Sequence, residues 1–89
     1  MNIRFDDIAT KFKCLSDPTR LQILHLLMEG EHCVGDIALK IGTTQANISK
    51  HLSLLKNAGL VVSNKQGMKV IYSLQGNKVQ QLCQLMCSD

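Results

Sequence analysis

Apolar residues recur along the first half of the chain at intervals of three and four. Phe5, Ile8, Phe12 and Leu15 follow that spacing and predict a first helix over residues 3–14. Asp17 followed by Pro18 marks the start of a second. Asp serves as N-cap, and Pro fits the first helical position, where its missing N–H costs nothing. Leu21, Leu24, Leu27 and Met28 carry that helix to Gly30. Val34, Ile37, Ala38 and Ile41 sit at i, i+3, i+4 and i+7, a short third helix with one buried stripe, closed by Gly42. Thr43 and Thr44 alone separate it from a fourth helix over 45–58. There Thr44 is the N-cap and Ile48, Leu52 and Leu55 face inward.

After Gly59 the apolar period changes from 3.6 to 2. Leu60–Ser63 reads as a strand, Asn64–Gly67 as a turn, and Lys69–Leu74 as the returning strand. Val79, Leu82, Cys83 and Met86 then predict a last amphipathic helix over 77–87. Two helices joined by a tight turn and followed by a hairpin make a winged helix-turn-helix, mainly α with a small β component, in the order ααααββα. The expectation is a single domain over residues 1–89. Its first and last helices carry apolar stripes that so small a core cannot cover, so they are expected to pair across a two-fold axis as a homodimer interface.

Charge adds direction to this outline. The net charge of +3 is mild, but it is unevenly placed. Residues 1–36 hold four basic residues and six acids, a net of −2. Residues 37–88 hold six lysines and no acid, a net of +6. A basic half of this kind attracts a polyanion, and nucleic acid fits best. The longest apolar run is three residues, so a membrane span is excluded. The N-terminus carries Asp6 and Asp7 and no apolar h-region, so a signal peptide is not expected and a cytoplasmic location is.

A helix-turn-helix inserts the first residues of its second helix into the major groove. Here those are Gln45, Ala46, Asn47, Ser49, Lys50 and His51, preceded by Thr44. The Gln and Asn amides can bond adenine bidentately, and the Ala methyl can meet a thymine methyl. Thr44 and the free N–H groups behind it suit a phosphate oxygen, and His51 beside Lys50 suits either a phosphate or a structural role. Lys65 and Lys69 flank the wing tip and suit the neighbouring backbone or the minor groove.

Several segments also resemble one family. Leu15–Leu24, reading LSDPTRLQIL, is similar to the stretch that opens the second helix of ArsR/SmtB-family repressors. Cys33–Ala38 resembles their third-helix signature, and Thr44–Leu52 with Ala58–Val61 their recognition helix and its exit. The resemblance spans about residues 10–75. It implies a bacterial, homodimeric repressor that binds a palindromic double-stranded DNA operator and lets go when an inducer, often a thiophilic metal or metalloid, is bound.

The four cysteines supply the candidate inducer chemistry. Metalloid-sensing members often read Cys-Val-Cys-Asp in the third helix, whereas this chain reads Cys33-Val34-Gly35-Asp36 and keeps one thiol. The Asp and His residues of the family's other common site are missing from the last helix, apart from the terminal Asp89. That helix instead carries Cys83 and Cys87 at i, i+4, with Cβ atoms ~5–6 Å apart on one face. Cys14 ends the first helix, which is expected to lie near the last one in a dimer. The expected site therefore draws on Cys14, Cys83 and Cys87, with Cys33 as a further thiol. Soft thiolates select As(III), Sb(III) or a similar ion. The alternative is a redox or reactive-sulfur switch in which two thiols close into a disulfide or polysulfide. Cys83 also lies inside the apolar stripe, where a free thiol serves equally as a small packing group. No cofactor is required by either reading. An enzyme is not expected, because neither His25 nor His51 can be grouped with a nucleophile and an orienting acid.

Overall fold

The computed structural model describes residues 3–88. Met1 and Asn2 of the N-terminal stretch and the terminal Asp89 lie outside the described residues. The elements in chain order are α1 (Phe5–Cys14), α2 (Pro18–Glu29), β1 (His32–Cys33), α3 (Val34–Ile41), α4 (Gln45–Asn57), β2 (Val61–Gln66), β3 (Lys69–Leu74) and α5 (Gly76–Cys87). Every helix foreseen from the apolar spacing is present, with ends shifted by no more than two residues.

The caps explain where α2 and α4 begin. Asp17 Oδ2 accepts the Arg20 backbone N–H at 3.0 Å, with Pro18 in the first turn. Thr44 Oγ1 accepts the Asn47 N–H at 3.1 Å. Between α3 and α4 the chain turns on Gly42, whose φ of 87° is left-handed and disfavours any side chain. The Gly42 and Thr43 N–H groups both return to the Ala38 carbonyl, at 2.9 and 3.0 Å, so the turn is closed by its own backbone.

The core is built by the inward faces of α2, α3 and α4. Ile23, Leu24, Ile37, Ile48, Leu52 and Leu55 are buried, together with Val61 of β2 and Cys83 of α5. α5 packs on α2 and β3, while α1 packs on α4. Among the described residues no charged or polar side chain is buried.

The sheet departs from expectation in two ways. β2 runs on to Gln66, and the hairpin turns through Gly67 and Met68 alone rather than through Asn64–Gly67. Gly67 has φ 63° at the first turn position, the place where a two-residue primed turn calls for glycine. A third strand, β1, was not foreseen. It pairs antiparallel with β3, His32 opposite Tyr72 and Cys33 opposite Ile71, giving the order β1-β3-β2.

The β2–β3 register assigns the wing residues to faces. Val61, Ser63 and Lys65 stand opposite Leu74, Tyr72 and Val70, while Val62, Asn64 and Gln66 stand opposite Ser73, Ile71 and Lys69. Opposite residues share a face and neighbours alternate. Lys65 therefore projects from the face that begins at the core with Val61, and Lys69 from the other.

Candidate nucleic-acid interface

The Thr44 cap frees the first turn of α4 to point away from the body. Gln45, Ala46, Ser49 and Lys50 are exposed there, and no acid accompanies them. Asn47 is half-buried. Its side-chain NH2 donates to Thr43 Oγ1 at 3.2 Å, so this amide braces the interhelical turn. Lys56, two turns on, donates to Ser63 Oγ at 2.7 Å and ties α4 to the wing.

His51 is placed differently from the other residues expected on this face. Its side chain is only 12% exposed and turns inward toward α2. Arg20 Nη1 lies 3.2 Å from His51 Nδ1. A guanidinium only donates, so Nδ1 accepts and the ring proton sits on Nε2. The Asp17 carboxylate, at 3.9 Å, is beyond hydrogen-bond reach of the same nitrogen. His51 thus belongs to a part-buried polar contact that holds α4 on α2, the structural one of its two expected roles rather than the DNA-facing one.

Arg20 is the organising residue that the sequence did not single out. Its Nε donates to the Cys14 carbonyl at 2.7 Å, its Nη1 reaches His51, and its backbone N–H caps onto Asp17. One residue therefore joins the end of α1 and the middle of α4 through its side chain and the cap of α2 through its backbone. The only local signal was the helix-start motif; partners six and 31 positions away leave no trace in periodicity. The Arg20 backbone N–H, with help from the nearby guanidinium, holds the Asp17 carboxyl below the usual aspartate range.

Beside the exposed turn of α4 lies an open groove of about 410 Å³. Gln45 and Ser49 form one wall, Cys33 to Gly35 the floor, and Met68 to Val70 of the wing the other wall. A Cβ placed on Gly35 would stand 3.6 Å from Gln45 Nε2, an ordinary contact. Lys65 and Lys69 are exposed at the wing. Of the residues expected to face DNA, Gln45, Ser49 and Lys69 line this groove.

The thiols are dispersed. Cys14 and Cys83 are buried, Cys33 is half-buried and Cys87 is exposed, all four free. Burial pushes the Cys14 thiol up, an effect that Arg20 partly opposes. Burial pushes Cys83 up as well, reinforced by the neighbouring Cys87. Cys83 and Cys87 are therefore close, as one helical turn requires. Among the described residues no three His, Cys, Asp or Glu side chains converge as a metal site. Cys14 is on α1 against α4, and the Cys83–Cys87 pair is on α5 against α2 and β3, so one chain alone does not assemble the expected trio. No helix among the described residues is long and apolar enough to cross a membrane.

Known proteins share this sequence and architecture. The cadmium resistance transcriptional regulatory protein CadC homolog of Staphylococcus aureus is 48% identical over 77 residues, which are 85% of this chain and 64% of that protein. The arsenical resistance operon repressor of Escherichia coli K12 is 48% identical over 64 residues, 71% of this chain and 55% of the repressor. The chain thus spans less than two thirds of the length of these relatives. A solution structure of a homodimeric winged helix-turn-helix DNA-binding domain from Mycobacterium bovis, described as a possible ArsR-family transcriptional regulator, superposes with a TM-score of 0.89 at 36% identity. That match covers 92% of this chain and 76% of that one. These relatives are regulators rather than enzymes. The family described as "Bacterial regulatory protein, arsR family" matches residues 17–63, from the cap of α2 through α4 into the wing. The chain belongs to the arsR family of bacterial regulatory proteins.

Proposed function

We propose that this protein is a transcriptional repressor that binds a palindromic operator as a homodimer and is released by a soft, thiol-reactive inducer. The observation that carries the DNA reading is the exposed first turn of α4. Thr44 and Gly42 hold it clear of the body, and it borders the basic wing with no acid on either. Gln45, Ala46, Ser49 and Lys50 face base edges in the major groove, and Lys65 and Lys69 face the backbone beside it. The M. bovis domain is a homodimer, and α1 and α5 here leave Phe5, Phe12 and Leu85 largely exposed, as unpaired dimer helices would.

The inducer acts at the α5 thiols. Cys83, buried, and Cys87, exposed, stand one helical turn apart, so inducer capture at Cys87 would draw on Cys83 by opening this end of α5, and a second subunit supplies the further thiol that one chain does not bring to them. The CadC homolog is named for cadmium resistance and the E. coli repressor for arsenical resistance, both thiophilic elements. A second reading is favoured by the same i, i+4 pair, which reactive sulfur or an oxidant could bridge. Titration of the reduced protein on its upstream DNA with arsenite, cadmium and an inorganic polysulfide, each alone, separates the two. The metal reading predicts a loss of affinity of about 5–150-fold with arsenite or cadmium that Cys83→Ser removes. Release by polysulfide alone replaces it with the sulfur reading. Affinity unchanged in all three arms overturns both, and failure to bind any upstream DNA at low salt overturns the repressor itself.

A further inference from the structure

Met68 occupies the tip of the wing and is 98% exposed, the most exposed large apolar side chain among the described residues. The turn does not call for it. Gly67 supplies the positive φ, and the next position of such a turn is ordinarily filled by a small polar residue. The fold does not hold it either, since the core and its packing shell omit it. Beside it the two wing lysines project from opposite faces of the ribbon, Lys65 with Val70 and Lys69 with Gln66. Neither strand carries an acid. The tip is thus an apolar point with one cation on each side.

That shape matches one particular surface of DNA. The minor groove is about 6 Å wide and 7.5 Å deep, with a phosphate ridge along each wall. A ribbon entering it tip-first meets phosphate on both faces, which is what cations on opposite faces serve. At the floor the tip meets the edges of stacked base pairs. Proteins that enter this groove push unbranched or wedge-shaped apolar side chains, Met among them, between base steps, and so unstack and kink the duplex. The position agrees as well, because Met68 and Lys69 wall the same groove as Gln45 and Ser49 of α4. With α4 in the major groove, the wing tip arrives at the adjacent minor groove.

We infer that Met68 is a wedge that inserts between base pairs in the minor groove flanking each half-site, steered by Lys65 and Lys69 on the two opposing phosphate ridges. Specificity then extends to bases that no polar side chain reads, through how easily a step opens. Pyrimidine–purine steps unstack most readily and are the steps that fit. This inference rests on the DNA-binding reading above.

The experiment uses duplexes that the full chain itself selects from a random-sequence pool, with 2-aminopurine placed at successive steps outside each half-site. The intact protein is expected to brighten one step per half-site and to enrich a pyrimidine–purine step there. Met68→Ser should return the fluorescence to that of free duplex and weaken binding about tenfold. Its melting temperature should not move, because Met68 has no packing role to lose. Lys65→Gln and Lys69→Gln should each lower the slope of log affinity on log salt by about one unit. Equal fluorescence and affinity for the intact chain and Met68→Ser, both still bound to selected duplex, overturns the wedge and leaves the repressor reading standing. A slope change from only one lysine overturns the two-ridge placement. A pool that shows no enrichment overturns the DNA reading and the wedge with it.

Discussion

At the residue scale the two cap side chains make different commitments. Thr44 accepts one N–H and carries no charge, so Thr44→Ala should lower stability by about 1 kcal/mol, read as a shift in the urea midpoint with an unchanged slope. Asp17 adds a pH dependence. Its folded carboxyl titrates below the usual aspartate value, because the ionised form accepts the Arg20 N–H. The stability it contributes is therefore complete above about pH 4 and disappears as pH falls through the folded value. Asn also caps helices well but cannot ionise. Asp17→Asn should keep most of the stability at pH 7 and flatten the acid limb of the stability curve, whereas Asp17→Ala should lose both. The thiols separate in the same manner. Thiolate is the reactive form, and burial raises both Cys14 and Cys83. Iodoacetamide at pH 8, followed by mass spectrometry, should label exposed Cys87 first and Cys14 and Cys83 last.

At the element scale, the helices were legible because each has a stripe at helical spacing, and α2, α3 and α4 have chemical punctuation marks as well. Asp17-Pro18, Gly42 and Thr44 fall where the caps form. Ile48 was read as inward-facing and is fully buried, so Ile48→Ala should cost about 2–5 kcal/mol by calorimetry. The β elements were only partly legible, for physical reasons. Asn64, Lys65 and Gln66 are polar in succession, and a ribbon solvated on both faces shows no alternation. Their strand exists because β3 accepts their backbone, pairing Gln66 with Lys69. β1 is two residues long, too short to repeat any period, and only its partner defines it. The exposure of Gln45, Ala46, Ser49 and Lys50 was legible from their place in the motif. The inward turn of His51 was not, because Arg20 lies 31 positions away.

At the scale of the whole molecule, apolar surface remains on the terminal helices, where the proposed dimer would cover it. Phe5 is 75% exposed, Phe12 62% and Leu85 75%, all on the terminal helices. Phe12→Glu would bury two like charges near the two-fold axis. It should give monomers in sedimentation equilibrium, and operator affinity should fall with the loss of the second half-site.

The Arg20 guanidinium carries a consequence for how such a dimer could transmit its signal. The end of α1, the cap of α2 and the side chain of His51 hang on this one residue. In the proposed dimer, a displacement of α1 would reach α4 through the Arg20 side chain, which bonds both the Cys14 carbonyl and His51. In the proposed repressor the helix-turn-helix would then swing as a body about these two side-chain hydrogen bonds, changing the spacing of the two reading helices while each stays folded. Amide exchange in α4 should remain slow in the released state, and distances between labels on the two α4 helices should shift. Arg20→Leu should uncouple the two, leaving inducer binding intact and operator release weakened.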